Sequence, residues 1–261
     1  DSSFGWRFVN PKMKALYGTD GMGTTAENLA EMYNINRADQ DQFAYWSQMK
    51  AAAAQQNGRL AEEIISVAIP QRKKDPIVFT KDEFIRPTTT LAALAKLRTA
   101  FKKEGGTVTA GNASGLNDGA AATIIASENA VKKYNLKPLA RIVSSAVIGV
   151  EPRIMGIGPV GASNKALAKA GLKMADMDVI ELNEAFAAQA LACTREWGLA
   201  DDDSRVNPNG GSIAIGHPLG VTGTRIMYSA ALELAKTGKR YALVTMCVGV
   251  GQGYAAIIER A

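Results

Sequence analysis

Cysteine and histidine are both scarce in this chain of 261 residues, which contains two cysteines, Cys193 and Cys247, and one histidine, His217. Two cysteines cannot form the disulfide framework of a small secreted domain, so we expect a reducing, cytoplasmic compartment. The first residues also lack the pattern of a signal peptide. The final Glu259-Arg260-Ala261 is not a peroxisomal targeting tripeptide.

Long apolar runs and long basic runs are absent as well. No stretch of 18 apolar residues occurs, so we expect no segment that spans a membrane. The formal net charge is +5, and no basic run is longer than Arg72-Lys73-Lys74. This distribution argues against a nucleic-acid partner and weakly favours an anionic small molecule.

The composition that remains, 47% hydrophobic and 21% charged, is that of a globular chain with one large or two modest domains. The first hundred residues are predicted to be mainly helical. Thr24 or Thr25 is expected to cap a helix that runs to Met32, and Asn36 to open a longer helix that Gly58 stops. The next predicted elements are short β pieces over 62–88 broken by Pro70, Pro76 and Pro87, a short helix near 91–97, and a strand over 120–127.

From Leu139 onward, strands and helices are predicted to alternate. The predicted strands cover 141–148, 178–182, 241–247 and 254–259, and the predicted helices cover 163–170, 185–197 and the stretch from near His217 to 237. Alternation that ends in a hairpin predicts a layered α/β domain with a mixed sheet.

Asn183 is the first candidate for chemistry, because it ends a predicted strand and enters a helix. In doubly wound sheets, ligands bind outside the carboxyl ends of the strands, which is where Asn183 is expected to lie. The alternative is that Asn183 caps the helix, and for an isolated asparagine that alternative is preferred.

His217 is the second candidate, within a segment that has glycines at 210, 211, 216 and 220. Glycines allow the backbone to approach a ligand closely. Pro218 suits the first turn of a helix, and a helix N-terminus disfavours the protonated imidazole, which would keep His217 available as a base. A purely structural histidine is the alternative.

Cys247 is the third candidate, since it ends one strand of the predicted hairpin before the glycine-rich turn Val248–Gly253. A thiol beside free backbone N–H groups can serve as an acid or base near an oxyanion site. The alternative is a buried, inert cysteine next to a turn that needs its glycines.

In this order, the three segments resemble the thiolase family, whose motifs are NEAF, NxNGGAIAxGHPxGxxG and C-[IV]-G-x-G-x-G. The resemblance implies a layered α/β fold of two similar halves, with a helical loop domain inserted in the first half. It divides this chain into a loop domain at 1–106, a strand segment of the N-terminal half at 107–128, and the C-terminal half at 129–261. Most of the first half is then expected to be missing.

The resemblance also implies a role for each candidate. Asn183 would hold a water and, with His217, form the hole for the thioester oxygen, while His217 would also draw the proton from the nucleophilic thiol. Cys247 would move the proton of the α-carbon, and the Gly249 N–H would belong to a second oxyanion hole. A neutral imidazole, a thiol and backbone donors suit Claisen chemistry without a metal.

The block 109–119 resembles the part of thiolases that meets the pantetheine arm of coenzyme A. The resemblance implies contacts from Ser114, with Ala110 and Leu116 lining the groove, and a phosphate contact from Arg86, for which a surface arginine without a role is the alternative. Met155 would lie beside the acyl chain. The remaining implied substrate and CoA contacts are Met22, Leu97, Phe101 and Phe186. Coenzyme A enters as a substrate, and no cofactor is implied.

Two departures from the family pattern affect these expectations. Gly21-Met22 stands where many acetoacetyl-CoA thiolases carry His-Met, so one pantetheine contact is lost. The family's nucleophile lies in a Cys-x-Ser-Gly type of block well upstream of NEAF, and neither cysteine here has that context, since Cys193 is expected to pack inside its helix. We therefore expect the C-terminal two-thirds of a thiolase, inactive by itself.

Phe4–Pro11 and Tyr17–Asp20 are most similar to 3-oxoadipyl-CoA thiolases of aromatic catabolism, with Arg7 as a candidate partner for an acyl carboxylate. The resemblance implies CoA thioesters as substrates and a homodimer or homotetramer. Alternatives are a CoA-binding fragment without catalysis and an acetoacetyl-CoA or longer-chain thiolase. The Cys247 turn argues against a further alternative, a decarboxylating condensing enzyme of the same superfamily.

Overall fold

The computed structural model describes residues 6–261, which form nine α-helices and six strands. The helices are α1 (Pro11–Tyr17), α2 (Met22–Met32), α3 (Arg37–Gln56), α4 (Leu91–Ala95), α5 (Glu128–Tyr134), α6 (Gly158–Ala170), α7 (Ala187–Glu196), α8 (Ser212–Ile215) and α9 (Thr222–Thr237). The strands are β1 (Val67–Gln71), β2 (Lys74–Phe79), β3 (Ala140–Gly149), β4 (Val179–Leu182), β5 (Tyr241–Val248) and β6 (Gln252–Arg260). None of the helices in this range has the length and hydropathy that a bilayer crossing requires.

The two long N-terminal helices start where their sequences allow a cap, although only one start was predicted correctly. Asn36 caps α3 as predicted, because its side chain accepts a hydrogen bond from the Asp39 N–H at 2.9 Å. Helix α2 starts earlier than predicted, directly after Gly21. Thr25 is therefore inside the helix, where its hydroxyl donates to the Met22 carbonyl at 2.6 Å.

Strands β1 and β2 form an isolated antiparallel hairpin in the predicted region. Two of the three prolines do not separate the β pieces, as the sequence suggested, but lie inside them, whereas Pro87 lies in a turn after β2. Pro70 lies at an irregularity of the register between Ile69 and Gln71, and Pro76 lies within β2. A two-stranded hairpin has two open edges, so a residue without an N–H can be accommodated there.

The C-terminal half is built on a four-stranded sheet in the order β3-β6-β5-β4. Strands β4 and β5 run parallel, with Val179 opposite Ala242, whereas β6 runs antiparallel to both of its neighbours. The predicted mixed sheet is therefore confirmed, and the layered α/β class with it.

Alternate residues of β4 point into two different cores, which explains why the sheet is covered on both faces. Ile180 and Leu182 belong to a core that contains residues of α6 and α7. Val179 belongs to a second core, with Ile226 and Leu234 of α9. The side-chain period of two along a strand turns one apolar run into two packed layers.

The strand predicted over 120–127 does not form. This segment has no helix or strand assignment, and Ile124 and Ile125 are 85% and 72% exposed. A strand needs a neighbour to share its hydrogen bonds, and within residues 6–261 no strand lies beside it. Helix α5, which was not predicted, follows at once and is capped by the Ser127 hydroxyl.

A buried cluster of charged groups joins the end of α3 to α9. The Arg59 guanidinium pairs with Glu63, lies 3.2 Å from the Glu233 carboxylate and donates to the Ser229 carbonyl at 3.1 Å. Removing one partner of such a buried pair leaves an uncompensated charge, so the cluster fixes how the helical N-terminal region sits on the C-terminal half.

Glu181 of β4 is a second buried acidic group, only 2% exposed. Burial raises its pKa to about 8, with Arg225 and Arg59 acting in the opposite direction and Glu63 adding to the rise. The carboxyl is therefore mostly protonated at neutral pH, since loss of its proton would leave a charge in a poorly solvated place.

We predict that Glu181→Gln abolishes a pH dependence of stability. Between the ordinary pKa and about 8, the folded state holds a proton that the unfolded state has lost, so the wild type loses stability as pH rises through this range. Glutamine is neutral and of similar shape. Relative to the wild type, the free energy of unfolding of the variant should increase by a few kcal/mol from pH 5 to 9, given about 1.4 kcal/mol per pKa unit.

Urea midpoints at pH 5, 7 and 9 measure this difference. The exposed Glu128→Gln serves as the matched control and should follow the wild type at every pH. A wild type and Glu181→Gln with parallel pH curves would contradict the assignment.

Candidate active site

Asn183 follows β4 directly and is 1% exposed. Its N–H donates to the Thr245 carbonyl of β5 at 3.0 Å, which continues the parallel pairing by one residue. The alternative role as a helix cap is excluded, because α7 begins at Ala187 with Phe186 as its N-cap residue. The side chain of Asn183 instead places Nδ2 at 3.3 Å from Nε2 of His217.

Glu184, which was not singled out from the sequence as a candidate, organises the loop beneath the site. Its buried carboxylate accepts hydrogen bonds from Ser47 Oγ at 2.6 Å, Asn207 Nδ2 at 2.7 Å and the Ile213 N–H at 3.2 Å. Burial raises the pKa of Glu184, and these donors oppose the rise. A Cβ at position 211 would lie 2.1 Å from this carboxylate, so Gly211 is required there.

His217 lies outside a helix, contrary to the prediction. Helix α9 begins only at Thr222, and the residues between form a turn in which the Val221 and Thr222 N–H groups both donate to the Pro218 carbonyl. Pro218 therefore precedes the helix and is not part of its first turn. Gly216 has φ +94° and faces the side chain of Asn117, so a side chain at 216 would be strained and would collide.

The imidazole of His217 is held at both nitrogens. Nδ1 lies 2.7 Å from Thr222 Oγ1, and Nε2 lies beside Asn183. Burial, together with the smaller effect of the positive charge of Arg225, lowers the pKa of His217 to about 4. The ring is therefore neutral at pH 7, but the main cause is desolvation and not the helix N-terminus that the sequence suggested.

Cys247 lies near the end of β5, opposite Gly253 of β6. The turn between these strands requires glycine at 251, which has φ +93° and whose Cβ would lie 2.1 Å from the Val150 carbonyl oxygen. Burial raises the pKa of Cys247 to about 12. At neutral pH this residue is a thiol that can give up a proton, whereas His217 is a base that can take one.

These groups share one cavity with a volume of about 650 Å³. Ten of the residues predicted from the sequence line it: Arg7, Met22, Phe101, Ser114, Leu116, Met155, Phe186, His217, Cys247 and Gly249. Asn183 lies behind His217. The Ser114 hydroxyl donates to the Ala185 carbonyl at 3.1 Å, which leaves the hydroxyl oxygen free to accept.

Three residues expected at the CoA surface lie outside the cavity lining. Arg86 and Ala110 are exposed. The backbone of Arg86 is engaged, since its N–H donates to Gln48 and its carbonyl accepts from Thr89. Leu97 packs over Gly111, where a Cβ would lie 2.5 Å from its side chain. The structure therefore brings the acid–base and acyl-chain candidates together but leaves these three at a separate surface.

Sequence analysis missed other residues of the site. Gln189 lines the cavity from α7, and Ser212, Thr222 and Arg225 lie behind Asn183 and His217. All four fall within or directly after the motif segments, which is the signal that could have found them.

Arg7, proposed only from resemblance, does line the cavity and is its single lysine or arginine within residues 6–261.

The other cysteine does not reach the cavity. Cys193 is completely buried in α7, where its Sγ donates to the Gly156 carbonyl at 3.4 Å. Burial raises the pKa of this thiol strongly, and the nearby Cys247 adds to the rise. The predicted packing role of Cys193 agrees with this position.

Both parts of the chain match the domain models of one family. The model of the thiolase N-terminal domain matches residues 8–129, and that of the thiolase C-terminal domain matches residues 136–260. The chain is 60% identical over 260 residues to a beta-ketoadipyl-CoA thiolase of Acinetobacter baylyi. It is 56% identical to the 3-oxoadipyl-CoA/3-oxo-5,6-dehydrosuberyl-CoA thiolase of Escherichia coli. Each alignment covers 100% of this chain and 65% of the relative.

Solved structures agree with this match. The human mitochondrial 3-ketoacyl-CoA thiolase superposes with a TM-score of 0.88 at 50% identity, over 92% of this chain and 60% of that protein. The acetyl-CoA acetyltransferase of Bacillus anthracis gives a TM-score of 0.88 at 46% identity, again over 92% and 60%. The chain thus spans about 65% of the length of its curated relatives, and with both domain models matched along it, the chain belongs to the thiolase family.

Proposed function

We propose that this chain supplies the acid–base half of a thiolase active site, in a protein that condenses and cleaves 3-oxoacyl-CoA thioesters. The observation that carries the proposal is the convergence of His217 and Cys247 on one apolar cavity, in complementary protonation states. A neutral imidazole and a neutral thiol can exchange protons with a substrate that is itself uncharged at the reacting atoms.

In the proposed reaction, His217 takes the proton of the nucleophilic thiol, whose sulfur attacks the acyl-CoA carbonyl and displaces CoA, which leaves with the proton of Cys247. The Cys247 thiolate then removes a proton from the α-carbon of an acetyl thioester. The resulting carbanion attacks the acyl-enzyme carbonyl and releases the nucleophilic sulfur, which recovers its proton from His217. In thiolysis the same proton returns from Cys247 to the leaving carbon. Asn183, acting with His217, and the Gly249 N–H are proposed as donors to the thioester oxygens.

Coenzyme A is proposed to approach along the surface that carries Ser114, Leu116 and Ala110. Arg86 is exposed and no ion pair within residues 6–261 occupies it, so its guanidinium is available to a phosphate. Leu97 and Phe101 would contact the nucleotide end, and Met155, Met22 and Phe186 the acyl end. CoA serves here as a substrate.

The acyl group is proposed to end in a carboxylate, as in 3-oxoadipyl-CoA. The names of the relatives from Acinetobacter baylyi and Escherichia coli suggest this class. Arg7 supports it, because a carboxylate in an otherwise apolar cavity needs a cation or donor nearby. An acetoacetyl-CoA or longer-chain substrate would leave Arg7 without a partner.

A homo-oligomer in the cytoplasm is proposed for the whole protein. Strand β3 is an edge strand of the sheet. Its residues Ile142 and Val147 are each about half exposed. An exposed apolar edge favours coverage by further protein, either the other half of the fold or a second copy. Both cysteines are free, which suits a reducing compartment.

We predict that His217→Ala and Cys247→Ala each lower kcat for thiolysis about 10²–10⁴-fold, the usual contribution of a positioned acid or base. The assay uses the protein extended to the length of its relatives, with loss of the absorbance of the 3-oxoacyl-CoA enolate as the readout. Cys193→Ala is the matched control and should retain most activity, because that thiol lies outside the cavity. Near-wild-type kcat in Cys247→Ala would remove this residue from the mechanism.

The 261-residue chain alone is predicted to have no thiolysis activity. Burial raises the pKa of both of its thiols, so neither is a thiolate at neutral pH, and the thiolate is the nucleophile. Iodoacetamide labelling with peptide mapping should find both cysteines unmodified in the folded chain and modified in urea. Turnover by this chain with label on either cysteine would show that the proposed division of roles is wrong.

Arg7 is predicted to determine the preference for a dicarboxylic acyl group. Arg7→Ala should lower kcat/KM for 3-oxoadipyl-CoA about 10- to 100-fold, which corresponds to the loss of one charge-assisted hydrogen bond. The kcat/KM for acetoacetyl-CoA should not change. Arg7→Lys should recover part of the loss because it restores the charge. Arg153→Ala, outside the cavity lining, is the control. An equal loss on both substrates would contradict the role.

A further inference from the structure

A continuous chain of hydrogen bonds runs behind the cavity from Arg225 to Pro218 through the side chains of Asn183 and His217. Arg225 Nη2 lies 3.3 Å from Ser212 Oγ, and Ser212 Oγ lies 2.6 Å from Asn183 Oδ1. Asn183 Nδ2 then contacts His217 Nε2 at 3.3 Å. On the far side of the ring, Nδ1 contacts Thr222 Oγ1, which is 3.1 Å from the Pro218 carbonyl.

Arg225 fixes the direction of the first bonds. A guanidinium has donors only, so the Ser212 oxygen must accept from it, and the one proton of Ser212 is left to point at Asn183. The Asn183 atom that receives this proton must be the carbonyl oxygen. With the amide in the opposite orientation, two donors would face the Ser212 oxygen and its own proton would have no acceptor along this chain.

The direction continues through the imidazole. Because Asn183 presents its N–H group to His217, Nε2 must be the unprotonated nitrogen in the neutral ring. The other end of the chain agrees with the same state. With the Thr222 proton on the Pro218 carbonyl, 3.1 Å away, the Thr222 oxygen accepts from Nδ1–H of His217.

We propose that Ser212, Arg225 and Thr222 are positioning residues that hold His217 as a single neutral tautomer, with its proton on Nδ1 and the lone pair of Nε2 accepting from Asn183. The catalytic role of this tautomer rests on the proposed function, since a base that accepts a thiol proton needs the lone pair of Nε2. The tautomer itself does not depend on which reaction the protein catalyses.

The surroundings of Arg225 support this arrangement. Ser212 and Asn183 are both buried, and the Nε atom of Arg225 is also buried, without a hydrogen-bond partner within residues 6–261. A cation held behind the ring disfavours the imidazolium, and Arg225 contributes to the lowered pKa of His217. The guanidinium is thus placed to affect both the orientation and the charge of the site.

The single histidine of this chain makes a direct test possible. In protein labelled with ¹⁵N-histidine, the two ring nitrogens give separate signals, and the unprotonated nitrogen resonates far downfield of the protonated one. At pH 7 we expect the wild type to show one tautomer, with Nδ1 protonated. Ser212→Ala combined with Thr222→Val should give a mixture of both tautomers, and each single variant an intermediate population.

Controls separate this role from a merely structural one. Ser163→Ala removes another buried hydroxyl and should leave the tautomer as in the wild type. Arg225→Lys, which keeps a donor and a charge, should preserve the wild-type pattern better than Arg225→Met. A wild-type ring protonated on Nε2 would overturn the proposal, as would a folded double variant with the wild-type spectrum. A wild-type ring protonated on Nδ1 in an extended protein without thiolase activity would count against the proposed function instead.

Discussion

The carboxylate of Glu184 lies where three separate parts of the chain meet, and the geometry of the site depends on it. It receives Ser47 from α3, Asn207 from the loop after α7, and the backbone of Ile213 in α8. A carboxyl group without such donors could be buried at this depth only at a large cost in free energy. The donors offset the loss of hydration, so the loop that carries His217 can only close on the sheet in the position that supplies them.

Burial has opposite effects on the two reactive side chains, although the physical cause is the same. Removal from water disfavours whichever form is charged. For His217 the charged form is protonated, so the pKa falls to about 4. For Cys247 the charged form is deprotonated, so the pKa rises to about 12. One apolar cavity is therefore lined by a neutral base and a neutral acid. For Cys247, burial is the cause of the raised pKa.

The sequence predicted elements well where local signals decide, and poorly where a distant neighbour decides. Asn36 caps α3 as expected because its partner is three residues away. The apolar run over 120–127 has the composition of a strand, but strand formation depends on a partner strand, and none lies beside it within residues 6–261. The boundaries at 106 and 128 stay a prediction for the same reason.

The site shows the same division. Motif order identified His217, Asn183 and Cys247, and the structure places them at or directly behind one cavity. The reason given for a neutral His217 was wrong, because helix α9 begins five residues later than a helix-start interpretation requires. Burial and the charge of Arg225 are tertiary properties, and neither can be obtained from the spacing of glycines and a proline.

A resting site in which both reactive groups are neutral has a consequence for the proposed chemistry. Moving a proton from a thiol to His217 creates an ion pair in a cavity that disfavours charge, so the step is unfavourable unless the new charges are met at once. The proposed oxygen donors, Asn183 and the Gly249 N–H, would act when negative charge moves from sulfur to the thioester oxygen. Their contribution is then larger in the transition state than in the ground state, which is the condition for accelerating the reaction and not merely binding the substrate.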